Sequence, residues 1–112
     1  MKEKTISFED FQKVDIRVGT VLEAIDFEKA RIPAYQLKID FGSLGLKKSS
    51  AQITALYSKE DLIGKKILAI VNFAPKQIAD FMSECLVLGV QNGKEVVLLH
   101  PSEKVNNGIQ VL

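Results

Sequence analysis

The sequence predicts an all-β domain with short helices, and two features carry this prediction. Residues 35 to 41 alternate between apolar and polar side chains, as a half-buried antiparallel strand does. Residues 66 to 71 and 85 to 90 are apolar runs of strand length, and Asn92-Gly93 is a two-residue hairpin signal that leads into residues 95 to 99. With 112 residues, the chain is expected to form one domain spanning residues 1 to 112.

The first elements are a short helix and a long strand. Ser7 and Asp10 have the spacing of a helix capping box, and Phe8 and Phe11 fall on one side of the helix that it starts. We expect this helix to plug one end of the fold. Residues 15 to 26 predict a long first strand, in which Gly19 marks a bulge or sharp bend that lets the strand serve two parts of a curved sheet.

Strand two covers residues 35 to 41, and a turn from Gly42 to Gly45 leads to a third strand over residues 46 to 53. The third strand is unusually polar, so at least one of its faces is expected to contact water. One or two short helices are expected next. Residues 53 to 57 have apolar side chains at helical spacing. Ser58 and Asp61 then form a second capping box, and Gly64 ends the helix that this box starts.

The order of three strands, a helix and two strands is that of the five-stranded Greek-key barrel known as the OB-fold, the oligonucleotide- and oligosaccharide-binding fold. The expected fold is therefore an OB-fold barrel with an N-terminal helix and a C-terminal extension. We expect the extension to cover a barrel edge or to join a partner subunit.

Composition disfavours catalysis and strong nucleic-acid binding. The 15 basic residues nearly balance the 14 acidic ones, and the net charge is +1, whereas a dedicated nucleic-acid domain is usually strongly basic. Cys85 and His100 are the single cysteine and histidine, and the glycines form no phosphate-binding loop, so we expect no catalytic site, metal or cofactor. We interpret Cys85 as a small buried apolar residue and His100 as a surface residue.

No apolar run approaches the roughly 20 residues that span a bilayer, and no N-terminal signal segment is apparent. We therefore expect a cytoplasmic protein without membrane insertion.

Cations and amides gather in the regions that bind ligands in OB-folds. Those regions are the face of strands two and three and the loops that join strands one to two and four to five. For any single lysine, simple solvation of the surface is the alternative. The candidate nucleic-acid contacts are Lys29, Arg31, Lys47, Lys48, Ser50, Gln52, Asn72, Lys76, Gln77 and Ser83.

The segment from Asn72 to Leu88 predicts a displayed binding loop between two strands, because it mixes polar and apolar side chains and Pro75 keeps it out of regular pairing. Its apolar residues Phe73, Ile78 and Phe81 are either ordinary core or the lining of a groove for an extended peptide.

Asp15-Ile16-Arg17-Val18-Gly19 is a distinctive block. Strand alternation points Ile16 and Val18 inward and leaves Asp15 and Arg17 as neighbours on one face that can form an ion pair. We therefore expect this block to have a structural role.

Together with Asn72, Pro75 and Ser83-Glu84, this block resembles the family of tRNA-binding barrels that occur alone or appended to tRNA synthetases. Other motifs resemble the CsaA-type export-related chaperones, a branch of that family. These are Pro33-Ala34-Tyr35, Ile39-Asp40-Phe41-Gly42, Ser49-Ser50-Ala51-Gln52-Ile53-Thr54, Leu56-Tyr57-Ser58 and Val71-Asn72-Phe73.

The resemblance implies a homodimer joined by the helical N-terminus and the C-terminal segment, a role in holding unfolded preproteins, and an inherited capacity for tRNA. One departure weakens the link to tRNA. The tRNA-binding relatives typically continue Ser-Glu with Gly-Met, whereas this chain has Cys85-Leu86 after Ser83-Glu84.

Two functions follow as hypotheses. The first is a non-enzymatic, ATP-independent chaperone that binds exposed apolar and basic segments of unfolded preproteins through grooves around Phe73, Ile78 and Phe81. The alternative is a structure-selective tRNA-binding protein that uses the candidate nucleic-acid contacts.

Overall fold

The computed structural model describes residues 4–112. Its elements in chain order are helix α1 (Phe8–Gln12), strands β1 (Ile16–Asp26) and β2 (Tyr35–Asp40), a 3₁₀ turn (Gly42–Leu44), β3 (Leu46–Ala51), α2 (Lys59–Leu62), β4 (Lys66–Ile70), β5 (Lys76–Ile78), β6 (Phe81–Ser83), β7 (Leu86–Val87), β8 (Gly89–Asn92) and β9 (Glu95–Leu98). None of the helices between residues 4 and 112 has the length and apolar character needed to cross a bilayer.

Five strands form an antiparallel sheet in the order β3-β2-β1-β4-β7, and two separate hairpins, β5–β6 and β8–β9, extend from it. The sheet curls into a nearly closed barrel, because its two outer strands, β3 and β7, approach each other. This arrangement confirms the OB-fold that the sequence predicts.

Strand β1 serves two parts of the barrel, as expected. Its first half pairs with β4, its second half pairs with β2, and Thr20 pairs with both. The bulge, however, lies between Val21 and Glu23, where the β1–β2 register shifts, and not at Gly19.

Gly19 has a different role from the one expected, because it allows two strands to approach closely. A Cβ atom at Gly19 would lie 2.7 Å from Cγ2 of Ile39 and 2.7 Å from Cε1 of Phe41, and both of these side chains are fully buried. The glycine therefore makes room for the core side chains of β2 and the residue that follows it.

The core lies inside the barrel and is built on the alternation of β2. Leu37 and Ile39 of β2 pack with Phe41 and with Ile67 of β4. Leu62 of α2 is fully buried in the same cluster. The capping box at Ser58 and Asp61 is confirmed, and α2 is the helix that fills the core. Residues 53 to 57 form a turn, so one helix and not two separates β3 from β4.

Helix α1 does not plug the barrel, which corrects the sequence-based expectation. Its capping box between Ser7 and Asp10 is present, and the rings of Phe8 and Phe11 lie 6.2 Å apart on one side. However, α1 contains no buried residue, and Phe8 remains 71% exposed. The apolar side of the helix faces the C-terminal residues, with which it lines a shallow cleft.

The C-terminal segment covers an edge of β1, as predicted. The backbone N–H of Val18 donates to the carbonyl of Ile109 at 3.0 Å, and the N–H of Gly108 donates to the carbonyl of Val18 at 2.8 Å.

The predicted ion pair between Asp15 and Arg17 is present, since Arg17 Nε donates to Asp15 Oδ1 at 2.6 Å. Arg17 Nη1 donates to the carbonyl of Gly108 at 2.9 Å, so this ion pair helps to hold the segment.

The turn between β8 and β9 and the segment of residues 76 to 83 both differ from the sequence-based prediction. The β8–β9 loop consists of Gly93 and Lys94, because Asn92 is paired with Glu95. Gly93 has φ +64° and is the first loop residue, the position that a type II′ turn reserves for glycine. Residues 76 to 83, expected as an unpaired loop, form the β5–β6 hairpin directly after Pro75.

The barrel closes between β3 and residues 83 to 85, largely through side chains. Ser49 Oγ donates to the carbonyl of Cys85 at 2.9 Å, and Ser83 Oγ accepts from the N–H of Ser50 at 3.1 Å. Glu84 accepts from the N–H of Lys48 through its side chain at 2.9 Å and donates its own N–H to the carbonyl of Lys48 at 2.7 Å. Closure therefore depends on a few short polar side chains.

Replacement of Ser49 by alanine should destabilise the protein. Ser49 is fully buried, so loss of its hydroxyl leaves the carbonyl of Cys85 without this donor and should lower the free energy of unfolding by about 1–3 kcal/mol. Urea denaturation of the wild-type protein and the variant measures this difference in the free energy of unfolding. The control Ser43→Ala, at an exposed position, should alter stability by less than about 0.5 kcal/mol. Equal effects of the two variants would contradict the role of Ser49 in closure.

Candidate binding groove

A groove of about 600 Å³ lies between the loop that joins β1 to β2 and the β5–β6 hairpin, over the end of β3. These are the regions that bind ligands in OB-folds. We call this feature the loop groove. Its lining residues are Lys29, Ala30, Arg31, Ile32, Ala34, Ser50, Gln52, Lys76, Gln77, Ile78 and Ala79.

A small apolar cluster holds the two walls of the loop groove together. Phe27 and Ala34 from the β1–β2 loop region pack against Phe81 of the β5–β6 hairpin, and the rings of Phe27 and Phe81 lie 5.4 Å apart. Ile78 packs against this cluster and also lines the groove. The hairpin is therefore attached to the loop by a second core outside the barrel.

The three apolar candidates Phe73, Ile78 and Phe81 do not form one groove. Phe81 is 9% exposed and belongs to the second core, which makes it a support and not a contact surface. Phe73 is 57% exposed but is not among the residues that line the loop groove. Ile78 alone of the three lines it.

Six of the polar candidates do come together in the loop groove, namely Lys29, Arg31, Ser50, Gln52, Lys76 and Gln77. They come from three separate segments, the β1–β2 loop, β3 with the residue that follows it, and β5. The fold thus brings cations and amide groups from distant parts of the sequence onto one surface.

The remaining four polar candidates lie elsewhere or are already hydrogen-bonded. Lys48 Nζ lies 5.3 Å from the ring centroid of Phe81, beyond the groove, and Lys47 projects from the opposite face of β3. Asn72 accepts from the N–H of Asp15 at 3.1 Å and donates to the carbonyl of Lys13 at 2.7 Å. Ser83 takes part in barrel closure.

The rim of the loop groove carries three cations, and one of them is paired. Lys29 Nζ lies 2.7 Å from Oδ2 of Asp80, and this hydrogen bond raises the pKa of Lys29 and lowers the pKa of Asp80. In the described residues, no carboxylate lies within 4.0 Å of the side-chain nitrogens of Arg31 or Lys76. Both cations therefore remain available to an anionic ligand.

The loop groove continues into two further clefts. One, of about 340 Å³, shares Ser50, Gln52, Lys76 and Ile78 with the groove and extends to the apolar residues Leu86, Val87 and Val96. The other shares Ile32 and Gln52 with the groove and extends towards Gln91 and Lys94 of the β8–β9 hairpin. Together the three clefts form one depression that runs from the β1–β2 loop to the β8–β9 hairpin.

The sequence did not reveal the apolar floor of the groove or Asp80. Ala30, Ile32 and Ala34 lie in a loop, and apolar residues in a loop of a compact domain are a signal that could have indicated a binding surface. Asp80 gave no signal beyond being an acidic residue in a predicted loop, because its partner Lys29 is 51 residues away.

Cys85 borders this depression but has no reactive character. The thiol is buried, and burial raises its pKa to about 11. The cysteine is therefore protonated at neutral pH and behaves as the buried apolar residue that the sequence suggested.

A family model described as a putative tRNA binding domain matches residues 16–110, so the chain belongs to the family of tRNA-binding domains. Within this family it is CsaA-like. The crystal structure of the chaperone CsaA from Bacillus anthracis str. Ames is 53% identical, with a TM-score of 0.92, over 97% of this chain and 100% of that one. The CsaA chaperone protein from Picrophilus torridus is also 53% identical, with a TM-score of 0.92, over 96% of this chain and 100% of that one.

The chain is also similar to part of larger proteins. It is 32% identical over 110 residues to the methionine–tRNA ligase of Thermococcus onnurineus strain NA1, a match that covers 98% of this chain and 15% of the ligase. The chain therefore spans a small part of the ligases that it matches. These comparisons confirm the resemblance that the sequence motifs indicated.

Proposed function

We propose that this protein is a non-enzymatic, ATP-independent chaperone that holds unfolded preproteins in the cytoplasm before export, with the loop groove as its binding surface. The observation that carries the proposal is an apolar groove floor formed by Ala30, Ile32 and Ile78, of which Ile32 is 57% exposed. The 53% identity to two CsaA chaperones supports it.

An unfolded polypeptide fits this floor because apolar contact depends on buried area and not on a particular sequence. Each apolar side chain that leaves water gains roughly 25 cal/mol per Å² of buried surface. Binding of this kind needs no ATP and favours the unfolded state by mass action alone. The rim would repel basic client segments, since it carries three cations and one carboxylate, so we propose apolar segments as the ligand.

Ile32→Asp should abolish most of the holding activity. Ile32 lines the loop groove and is 57% exposed, so the substitution places a charge on the apolar floor without opening the barrel core. Suppression of the aggregation of an unfolded preprotein, followed by light scattering, should require at least about tenfold more of the variant, because an apolar segment that binds would have to remove water from the carboxylate.

The matched control is Ile63→Asp, which makes the same substitution at a residue that is 51% exposed and lies beside α2, outside the groove lining. It should retain wild-type holding activity. Equal loss in both variants would point to a non-specific effect of charge and would contradict the groove assignment.

A second function, binding of tRNA, is supported by the convergence of Lys29, Arg31 and Lys76 on the same groove. Arg31 and Lys76, which have no carboxylate partner among the described residues, can contact phosphates. The amide of Gln52, and the amide hydrogen of Gln77 that is not bound to the carbonyl of Ala79, can donate to sugars or bases. Structured RNA is recognised largely through its shape and backbone, which matches a groove rich in cations and amides. The family to which the chain belongs supports this function as well.

Arg31→Gln and Lys76→Gln should each weaken tRNA binding and reduce its dependence on salt. Each lost phosphate contact should reduce the steepness of the log Kd against log salt plot by about 0.7–0.9. Electrophoretic or fluorescence titrations across a salt series measure this slope.

Lys104→Gln is the control, because it removes the same charge at an exposed residue outside the groove. A salt-independent affinity of the wild-type protein, or the same loss in all three variants, would exclude phosphate contacts in the groove. Addition of an unfolded preprotein to the titration shows whether both ligands compete for the groove.

We further propose that the protein is a homodimer joined through α1 and the C-terminal segment. Phe8 and Phe11 line an apolar cleft of about 260 Å³ with Val14, Val111 and Leu112, and Phe8 and Leu112 are exposed. A second copy of the chain would remove this surface from water.

Light scattering on the purified protein should give twice the 12.4 kDa mass of one chain, and Phe8→Asp should give a folded monomer. Because Phe8 lies outside the barrel core, the variant should keep the wild-type circular dichroism spectrum. A monomeric mass for the wild-type protein at tens of micromolar would rule out this dimer.

A further inference from the structure

We infer that Asp80 is a selectivity residue of the loop groove: its carboxylate occupies Lys29 in place of a phosphate and so limits the binding of RNA. The inference rests on the proposed binding of tRNA in this groove. The role of Asp80 follows from its negative charge and from its contact with Lys29, one of the cations that line the groove.

The pair spans the opening of the groove. Lys29 belongs to the β1–β2 loop and Asp80 to the turn of the β5–β6 hairpin, and their Nζ and Oδ2 atoms lie 2.7 Å apart. The side chains remain 70% and 60% exposed. An ion pair that is so exposed contributes little to stability, and a phosphate can therefore replace the carboxylate without disturbing the fold.

The hairpin holds Asp80 in position. The preceding residue, Ala79, has φ +53°, and no other non-glycine residue between 4 and 112 has a positive φ. An alanine in this conformation is unfavourable unless other contacts fix it. Gln77 Nε2 donates to the carbonyl of Ala79 at 3.1 Å, and Phe81 on the other side is buried against Phe27. The carboxylate is thus presented to Lys29 by a turn that is fixed on both sides.

The pair changes what the groove offers to an anion. A phosphate that approaches Lys29 must displace the carboxylate and then remain close to its negative charge, whereas Arg31 and Lys76 have no such competitor among the described residues. Lys29 also releases no counterion on binding RNA while Asp80 already neutralises it. Asp80 should therefore lower both the affinity for RNA and its dependence on salt.

The test compares Asp80→Asn with Asp26→Asn in tRNA titrations across a salt series. Asp26 forms an ion pair of the same kind with Lys59, at 2.9 Å between Oδ2 and Nζ, outside the groove, so both variants raise the net charge equally. Asp80→Asn should tighten tRNA binding about three- to tenfold at low salt and steepen the salt slope by about 0.7–0.9, the contribution of one phosphate contact. Asp26→Asn should change the affinity for tRNA by no more than about twofold and should leave the salt slope unchanged.

Lys29→Gln, alone and combined with Asp80→Asn, completes a double-mutant cycle for this ion pair. In the wild-type background it should weaken tRNA binding, because it leaves the carboxylate of Asp80 unpaired beside the groove. In the Asp80→Asn background it should remove the gain in affinity. If the double variant kept the gain in affinity of Asp80→Asn, that gain would not pass through Lys29, and the inference would be overturned.

The outcomes separate this inference from the proposed function. Wild-type binding that depends on Arg31, with Asp80→Asn no tighter than Asp26→Asn, would overturn the role of Asp80 and leave tRNA binding in the groove intact. Weak wild-type binding that becomes strong in Asp80→Asn alone would support the inference. An absence of binding in every variant would overturn both, since a groove relieved of Asp80 should bind RNA.

Discussion

The closure of the barrel between β3 and residues 83 to 85 is the contact on which the rest of the structure depends. No continuous ladder of backbone hydrogen bonds joins β3 to β7 in the described residues. Here Ser49, Ser83 and Glu84 supply side-chain hydrogen bonds instead, and the chain between β4 and β7 is free to form the β5–β6 hairpin. That hairpin stands opposite the β1–β2 loop and forms one wall of the loop groove.

The strands and capping boxes could be predicted from the sequence because they follow from local patterns. Alternation identified β2, and the spacing of Ser7 and Asp10 identified the start of α1. Local patterns do not show what an element packs against. The apolar side of α1 could therefore be recognised while its position could not, and it is Leu62 of α2, and no residue of α1, that belongs to the core cluster. The bulge was misplaced for a related reason, since the glycine at position 19 makes room for the side chains of Ile39 and Phe41, which are remote in the sequence.

The location of the loop groove was predictable in outline, because the loops that face the ligand in OB-folds are known from the fold itself. The composition of those loops gave Lys29, Arg31 and Lys76, which the structure does bring together. Hydrogen bonds to distant backbone atoms could not be foreseen, and they engage Asn72 and Ser83 in the scaffold. Burial of Phe81 could not be foreseen either, since it depends on Phe27, which is remote in the sequence. A residue type suited to binding is therefore a weak guide until its partners are known.

The attachment of residues 108 to 111 to β1 has a consequence for the tendency of the protein to self-associate. This segment satisfies backbone donors and acceptors of β1 that would otherwise form an open strand edge. Ile109 and Gln110 are exposed, so the segment can detach locally without unfolding of the core. Detachment would then offer β1 as a template for strand pairing between molecules and would promote aggregation.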